Sequence, residues 1–132
     1  MGVTASQISA LSPDGVLALG DNQYEYGPLA AFNLGYDQSW GAFKNVTHPV
    51  PGNHEYGNTT LQQPFTPCDD PPQSGYFSYF GARAGDASEG YYSFDLGAWH
   101  IVALNSECGS VGGCGAGSPQ ETWLEGDLAG HP

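Results

Sequence analysis

Two short stretches hold side chains whose types and spacing could do chemistry together. Gly20-Asp21-Asn22-Gln23-Tyr24 follows the apolar run Val16-Leu17-Ala18-Leu19. Pro51-Gly52-Asn53-His54-Glu55-Tyr56 repeats the arrangement: a short apolar lead-in, a glycine, then groups with lone pairs. Asp21 has two carboxylate oxygens and can bridge two cations, Asn53 offers a neutral carbonyl oxygen, and His54 can ligate or move a proton. Each also has a purely structural use. Asp21 could cap a helix or form a turn, Asn53 could hold a left-handed turn, and Tyr24 could be a core ring. Those uses, taken singly, leave unexplained why such residues recur at the ends of two predicted strands.

Charge narrows the chemistry. Lys44 and Arg83 are the only fixed positive charges against fourteen acidic residues, for a formal net charge of −12 with the histidines neutral. Such a surface repels nucleic acid and anionic membranes, so neither is expected as a partner. Two fixed positive charges are too few to hold an anionic phosphate by side chains alone. Bound cations would have to supply the attraction.

Gly20-Asp21-x-x-Tyr24 followed by Gly52-Asn53-His54-Glu55 resembles the second and third signature blocks of the calcineurin-like metallophosphoesterases, and the tyrosine points to the purple acid phosphatase branch. The resemblance implies an α/β fold, part of a β-sandwich flanked by helices. It also implies a phosphoesterase acting on a small phosphate ester through two metal ions, Fe with Zn, Mn or a second Fe. In that reading Asp21 bridges the ions, Tyr24 binds the ferric one and Asn53 binds the other. His54 stands beside the substrate as the catalytic residue, and Glu55 supports the site by orienting His54. Asn105, placed just after a predicted strand, is read from its position as a support behind the site. Two cations so placed clamp the attacking and leaving oxygens of an in-line displacement.

The family's pattern has five blocks and this chain carries two. No aspartate ends an earlier strand, because Asp14 directly precedes the Asp21 strand. The two downstream histidine blocks are missing as well; Gly130-His131 closes a helix, with Pro132 in the next position. Residues 1–132 are therefore expected to form one partial domain, inactive on its own. The competing expectation is a non-catalytic extracellular module that keeps the fold and has lost the ligands.

The elements that would position these residues follow in order. Thr4 to Leu11 predicts a short helix capped by Thr4, with Ile8 and Leu11 facing the next strand. Val16 to Leu19 predicts a buried strand that ends at Gly20, which puts Asp21 at the carboxyl end where open α/β sheets hold ligands. Leu29, Phe32, Trp40 and Phe43 recur at roughly helical spacing with Gly35 between them, predicting two short helices. Asn45 to Pro51 predicts a strand kept short by two prolines. Residues 57–90, rich in proline, predict a long loop whose aromatic run Tyr76-Phe77-Ser78-Tyr79-Phe80 anchors it to the core or lines a substrate rim. Tyr92-Phe94-Leu96 alternates, Gly97-Ala98 makes a two-residue turn, and Trp99 to Leu104 returns as a strand buried on both faces, with His100 hydrogen-bonded inside it. Ser118, Pro119 and Glu121 open a last helix whose buried side is Trp123, Leu124 and Leu128.

Cys108 and Cys114 enclose a glycine-rich loop able to close a disulfide, which leaves Cys68 over and points to a secreted or extracytoplasmic protein. The N-terminus shows no basic-plus-apolar leader, and no run is long enough to span a membrane. Asn45-Val46-Thr47 and Asn58-Thr59-Thr60 match the glycosylation acceptor pattern.

Overall fold

The computed structural model describes residues 2–57 and 72–131. Its order is α1 (Val3–Leu11), β1 (Val16–Leu19), α2 (Leu29–Ala31) running into a π turn (Phe32–Tyr36), a 3-10 helix (Trp40–Val46) and β2 (Thr47–Val50). Then come α3 (Pro72–Phe80) with a 3-10 turn (Gly81–Ala84), β3 (Tyr92–Leu96), β4 (Trp99–Ala103), a 3-10 turn (Cys108–Val111) and α4 (Pro119–Gly130). The chain is a mixed α/β domain with two small sheets. Cys68, Asn58-Thr59-Thr60 and the rest of residues 58–71 of the predicted proline-rich loop lie outside the described residues.

The first sheet pairs β1 with β2 in parallel, Val16 opposite Thr47 and Leu19 opposite Val50. The second pairs β3 with β4 as the expected hairpin, Leu96 opposite Trp99, with Gly97 at φ 62° in the turn. The two sheets meet where the Tyr92 hydroxyl donates to the Pro49 carbonyl at 2.8 Å and the Phe94 ring stacks on His48 at 3.5 Å between centroids. Among the described residues each sheet has two strands, and that explains two corrections. Leu17 and Leu19 are 52% and 80% exposed, so β1 is half-open instead of buried; Trp99 is exposed too, so β4 is not covered on both faces.

The core lies between α2, its π turn and α3. Phe32, Tyr36, Tyr76, Tyr79, Phe80 and Ala84 form one buried cluster, with Leu29, Trp40 and Phe77 packed against it. The stretch expected to be loop is thus helical from Pro72 to Phe80. Tyr76, Tyr79 and Phe80 fall at i, i+3 and i+4 and turn one aromatic stripe inward. They anchor the core and do not line a rim. The Tyr79 hydroxyl donates to Asp37 Oδ1 at 2.6 Å, and the Lys44 ammonium sits 4.0 Å above the Tyr79 ring.

At the ends of the chain the helices are more exposed than expected. α1 begins one residue early, with Gly2 at its N-cap and no side-chain cap from Thr4. It buries Ala5 and leaves Leu11 exposed. In α4 the Ser118 hydroxyl accepts from the Glu121 N–H as predicted. The Glu121 carboxylate reaches one residue further back than a capping box requires and accepts from the Gly117 N–H. Leu128 is half exposed and does not join the buried side. Cys108 and Cys114 are paired, their Cα atoms 5.4 Å apart. No helix among the described residues is long and apolar enough to cross a membrane.

Candidate functional site

Parallel pairing in this register brings the carboxyl ends of β1 and β2 side by side, so the loops carrying Asp21 and His54 leave the same edge. They approach as closely as backbone allows. A Cβ on Gly20 would stand 3.1 Å from the Gly52 Cα, and one on Gly52 would overlap Asp21, 2.6 Å from its N. Gly20 also has φ 81°, a conformation favouring glycine. Gly52→Ala is therefore expected to destabilise the protein by about 2–3 kcal/mol, since rigid backbone cannot yield as a side chain can. Urea unfolding of the variant beside the parent measures it.

Glu55 locks the two loops together. It is 1% exposed. Its Oε2 accepts from the N–H groups of Gly52 (2.7 Å) and Asp21 (2.9 Å), and its Oε1 from those of Asn22 (2.6 Å) and Gln23 (3.2 Å). Both loops turn sharply after a strand and leave donors that no neighbouring strand can accept, so one buried carboxylate satisfies four of them. Burial pushes the Glu55 carboxyl up, while the four N–H groups pull it down. Every one of its bonds goes to backbone. The expectation that Glu55 orients the His54 ring is thus corrected: the Glu25 carbonyl does so, 2.7 Å from His54 Nδ1.

That carbonyl fixes the histidine's tautomer. A carbonyl only accepts, so His54 Nδ1 carries the proton and Nε2 is the nitrogen left for a ligand or a proton. The ring also packs on Tyr24, centroids 4.3 Å apart. Asp21 adopts φ 48°, the left-handed conformation considered above for Asn53. Its Oδ1 accepts from the His54 N–H at 3.3 Å, and its Oδ2 stands 3.5 Å from the Tyr24 hydroxyl. Tyr24 is 57% exposed, which removes the core-ring reading.

Partial burial, then the facing Asp21 carboxylate and its hydrogen bond, push the Tyr24 phenol up. Without a cation the phenolate is disfavoured beside so many acids. The oxygens of Asp21 and Tyr24 nonetheless converge on one point of the loop surface, an arrangement that fits a hard cation. Asn53 lies on the same turn, between Gly52 and His54. Asn105 is buried at the back: its amide donates to the Tyr56 hydroxyl (2.9 Å) and the Glu89 carbonyl (3.0 Å), so it reaches the loop only through Tyr56. A cleft of about 550 Å³ opens along β1, lined by Asp21, Tyr36 and Trp40 among others. It does not include Tyr24, Asn53 or His54.

Sequence reasoning missed the fourfold grip of Glu55 and the role of the Glu25 carbonyl. The signal for the first was present: an acid in a turn joining two glycine-broken strands has open N–H groups around it. No family model, curated protein or solved structure matches the chain.

Proposed function

We propose that this chain carries part of the centre of a metal-dependent phosphoesterase, working outside the cytoplasm on a small phosphate ester. The observation that supports this most is the pair of loops at one sheet edge, locked by Glu55, with the Asp21 carboxylate and Tyr24 hydroxyl oxygens 3.5 Å apart. Asp21, Tyr24 and Asn53 are the residues that would hold cations, which supply Lewis-acid stabilisation of phosphoryl charge when bound. Asp21 offers Oδ2 while its Oδ1 stays tied to the His54 N–H. Tyr24 offers a phenolic oxygen, and Asn53 a neutral one that adds no further negative charge against the phosphate. His54, held through Nδ1, presents Nε2 toward the substrate, where, after taking a proton from water, it would give that proton to the leaving-group oxygen. Gly20 and Gly52 keep the two loops close enough for these groups to act on one phosphorus.

Asp21, Tyr24, Asn53 and His54 are too few for two ions. The remaining donors and the rest of a sandwich are proposed to come from residues beyond this chain. The Cys108–Cys114 pair supports an oxidising compartment.

Aryl phosphate turnover with Fe, Zn or Mn tests this reading. The 132-residue chain is expected to stay at background, and a polypeptide supplying the missing donors is expected to turn over in a manner abolished by Asp21→Ala. Robust Asp21-dependent turnover by the chain alone would overturn the shared-donor reading. Turnover absent from the completed polypeptide, or indifferent to Asp21, would overturn the phosphoesterase reading.

A further inference from the structure

We propose that Asp95, His100 and His131 form a metal site separate from the Asp21 loop, taking a borderline divalent cation such as Zn²⁺. These residues come from β3, β4 and the end of α4, and one ligand atom from each lies within 4.8 Å of the others. The reading does not depend on phosphoesterase chemistry, because it uses none of the same residues.

The hydrogen bonds around the cluster are those that hold metal-binding imidazoles. His131 Nδ1 is 2.8 Å from the Asp127 carbonyl, so that nitrogen carries the proton and Nε2 keeps its lone pair. His100 lies between two carboxylates, with Nε2 2.7 Å from Asp127 Oδ2 and Nδ1 2.8 Å from Asp95 Oδ1. Asp127 is itself fixed by the Ser93 hydroxyl at 2.6 Å. Asp127 thus positions both histidines, one through its side chain and one through its backbone. A carboxylate or carbonyl behind each ligating imidazole is the arrangement that sets its tautomer and raises its basicity.

With no cation present His100 Nδ1 lies 2.8 Å from Asp95 Oδ1, and a carboxylate oxygen only accepts, so a proton occupies the place between them. A divalent ion would replace it: the Nδ1–H bond breaks, the proton leaves to solvent, and Nδ1 and an Asp95 oxygen bind the ion. His131 Nε2 supplies the third bond. The two rings are stacked 3.6 Å apart at 11°, so His131 must tilt open at that edge for both lone pairs to meet. His131 is exposed, just past the helix, where such a tilt meets little resistance. Two imidazoles and one carboxylate, with a position left for water, suit zinc-like ions over magnesium or calcium. The chain's charge of −12 draws cations toward it.

Zn²⁺ titrated into the ¹⁵N-labelled chain, read at the imidazole nitrogens, tests the site. His100 Nδ1 and His131 Nε2 are expected to shift together toward one equivalent. Asp95→Asn and His131→Ala, both at exposed positions, should each weaken that binding by about tenfold or more. Shifts confined to His54, no shift at His100 and His131, or variants that bind like the parent would each overturn the proposal.

Discussion

Glu55→Ala is expected to cost about 3–5 kcal/mol, enough to leave a domain of ordinary marginal stability largely unfolded. The substitution removes the shared acceptor of the N–H groups of Gly52, Asp21, Asn22 and Gln23, and the cavity sits too deep for bulk water to replace it. Glu55→Gln should be nearly as damaging. Its single oxygen can serve two of the donors, but its NH₂ group then faces the other two. Glu55→Asp keeps the charge and falls short by one methylene, so it should lie between Glu55→Gln and the parent. Urea unfolding monitored by tryptophan fluorescence gives the order. Glu55→Ala behaving like the parent would show that the loops are held by something else.

Asp21→Asn is expected to weaken cation binding at the loop site by at least about 100-fold, the upper end of what losing a merely supporting partner costs. The change keeps shape and removes a full negative charge from the group nearest the Tyr24 hydroxyl. Its stability cost should be small, because the Asn oxygen can still accept from the His54 N–H and the Asp21 backbone N–H still reaches Glu55. Calorimetric titration with Zn²⁺ or Mn²⁺, following heats that survive His131→Ala, separates this site from the Asp95–His100–His131 cluster. Unchanged affinity would remove Asp21 from the ligand set.

Much of this arrangement was legible in the residue order. The tetrad Val16–Leu19 and the proline-limited stretch Asn45 to Pro51, of which Thr47–Val50 is strand, read as strands, and the glycine after each placed Asp21 and His54 on loops. The alternation in Tyr92–Leu96 and the Gly97-Ala98 turn fixed the hairpin register. Parallel pairing of β1 with β2 is a long-range choice that no local pattern records, yet it is what brings the two loops together. Helix α3 was hidden because Pro72 and Gly75 look like loop, whereas Pro72 occupies the helix's first position and burial of Tyr76, Tyr79 and Phe80 supplies the stabilisation. Exposure was misjudged at Leu17, Leu19 and Trp99 because apolar runs report what a strand could bury, not how many neighbours it finds. The grip of Glu55 depends on donors from 32 to 34 residues away as well as its own turn, so local reading assigned it to His54.

The central claim is that Asp21 and Tyr24 share one hard cation, and the visible spectrum of the Fe(III)-loaded polypeptide that supplies the missing donors tests it most directly. Phenolate is an anionic oxygen ligand suited to ferric iron, and a phenolate–Fe(III) bond gives a charge-transfer band in the visible. Tyr24→Phe keeps the ring that packs on His54 and removes only the oxygen. The account predicts a visible band in the parent that Tyr24→Phe abolishes while the far-ultraviolet circular dichroism stays the same. A colourless iron-loaded parent, or a band that survives Tyr24→Phe, would contradict it.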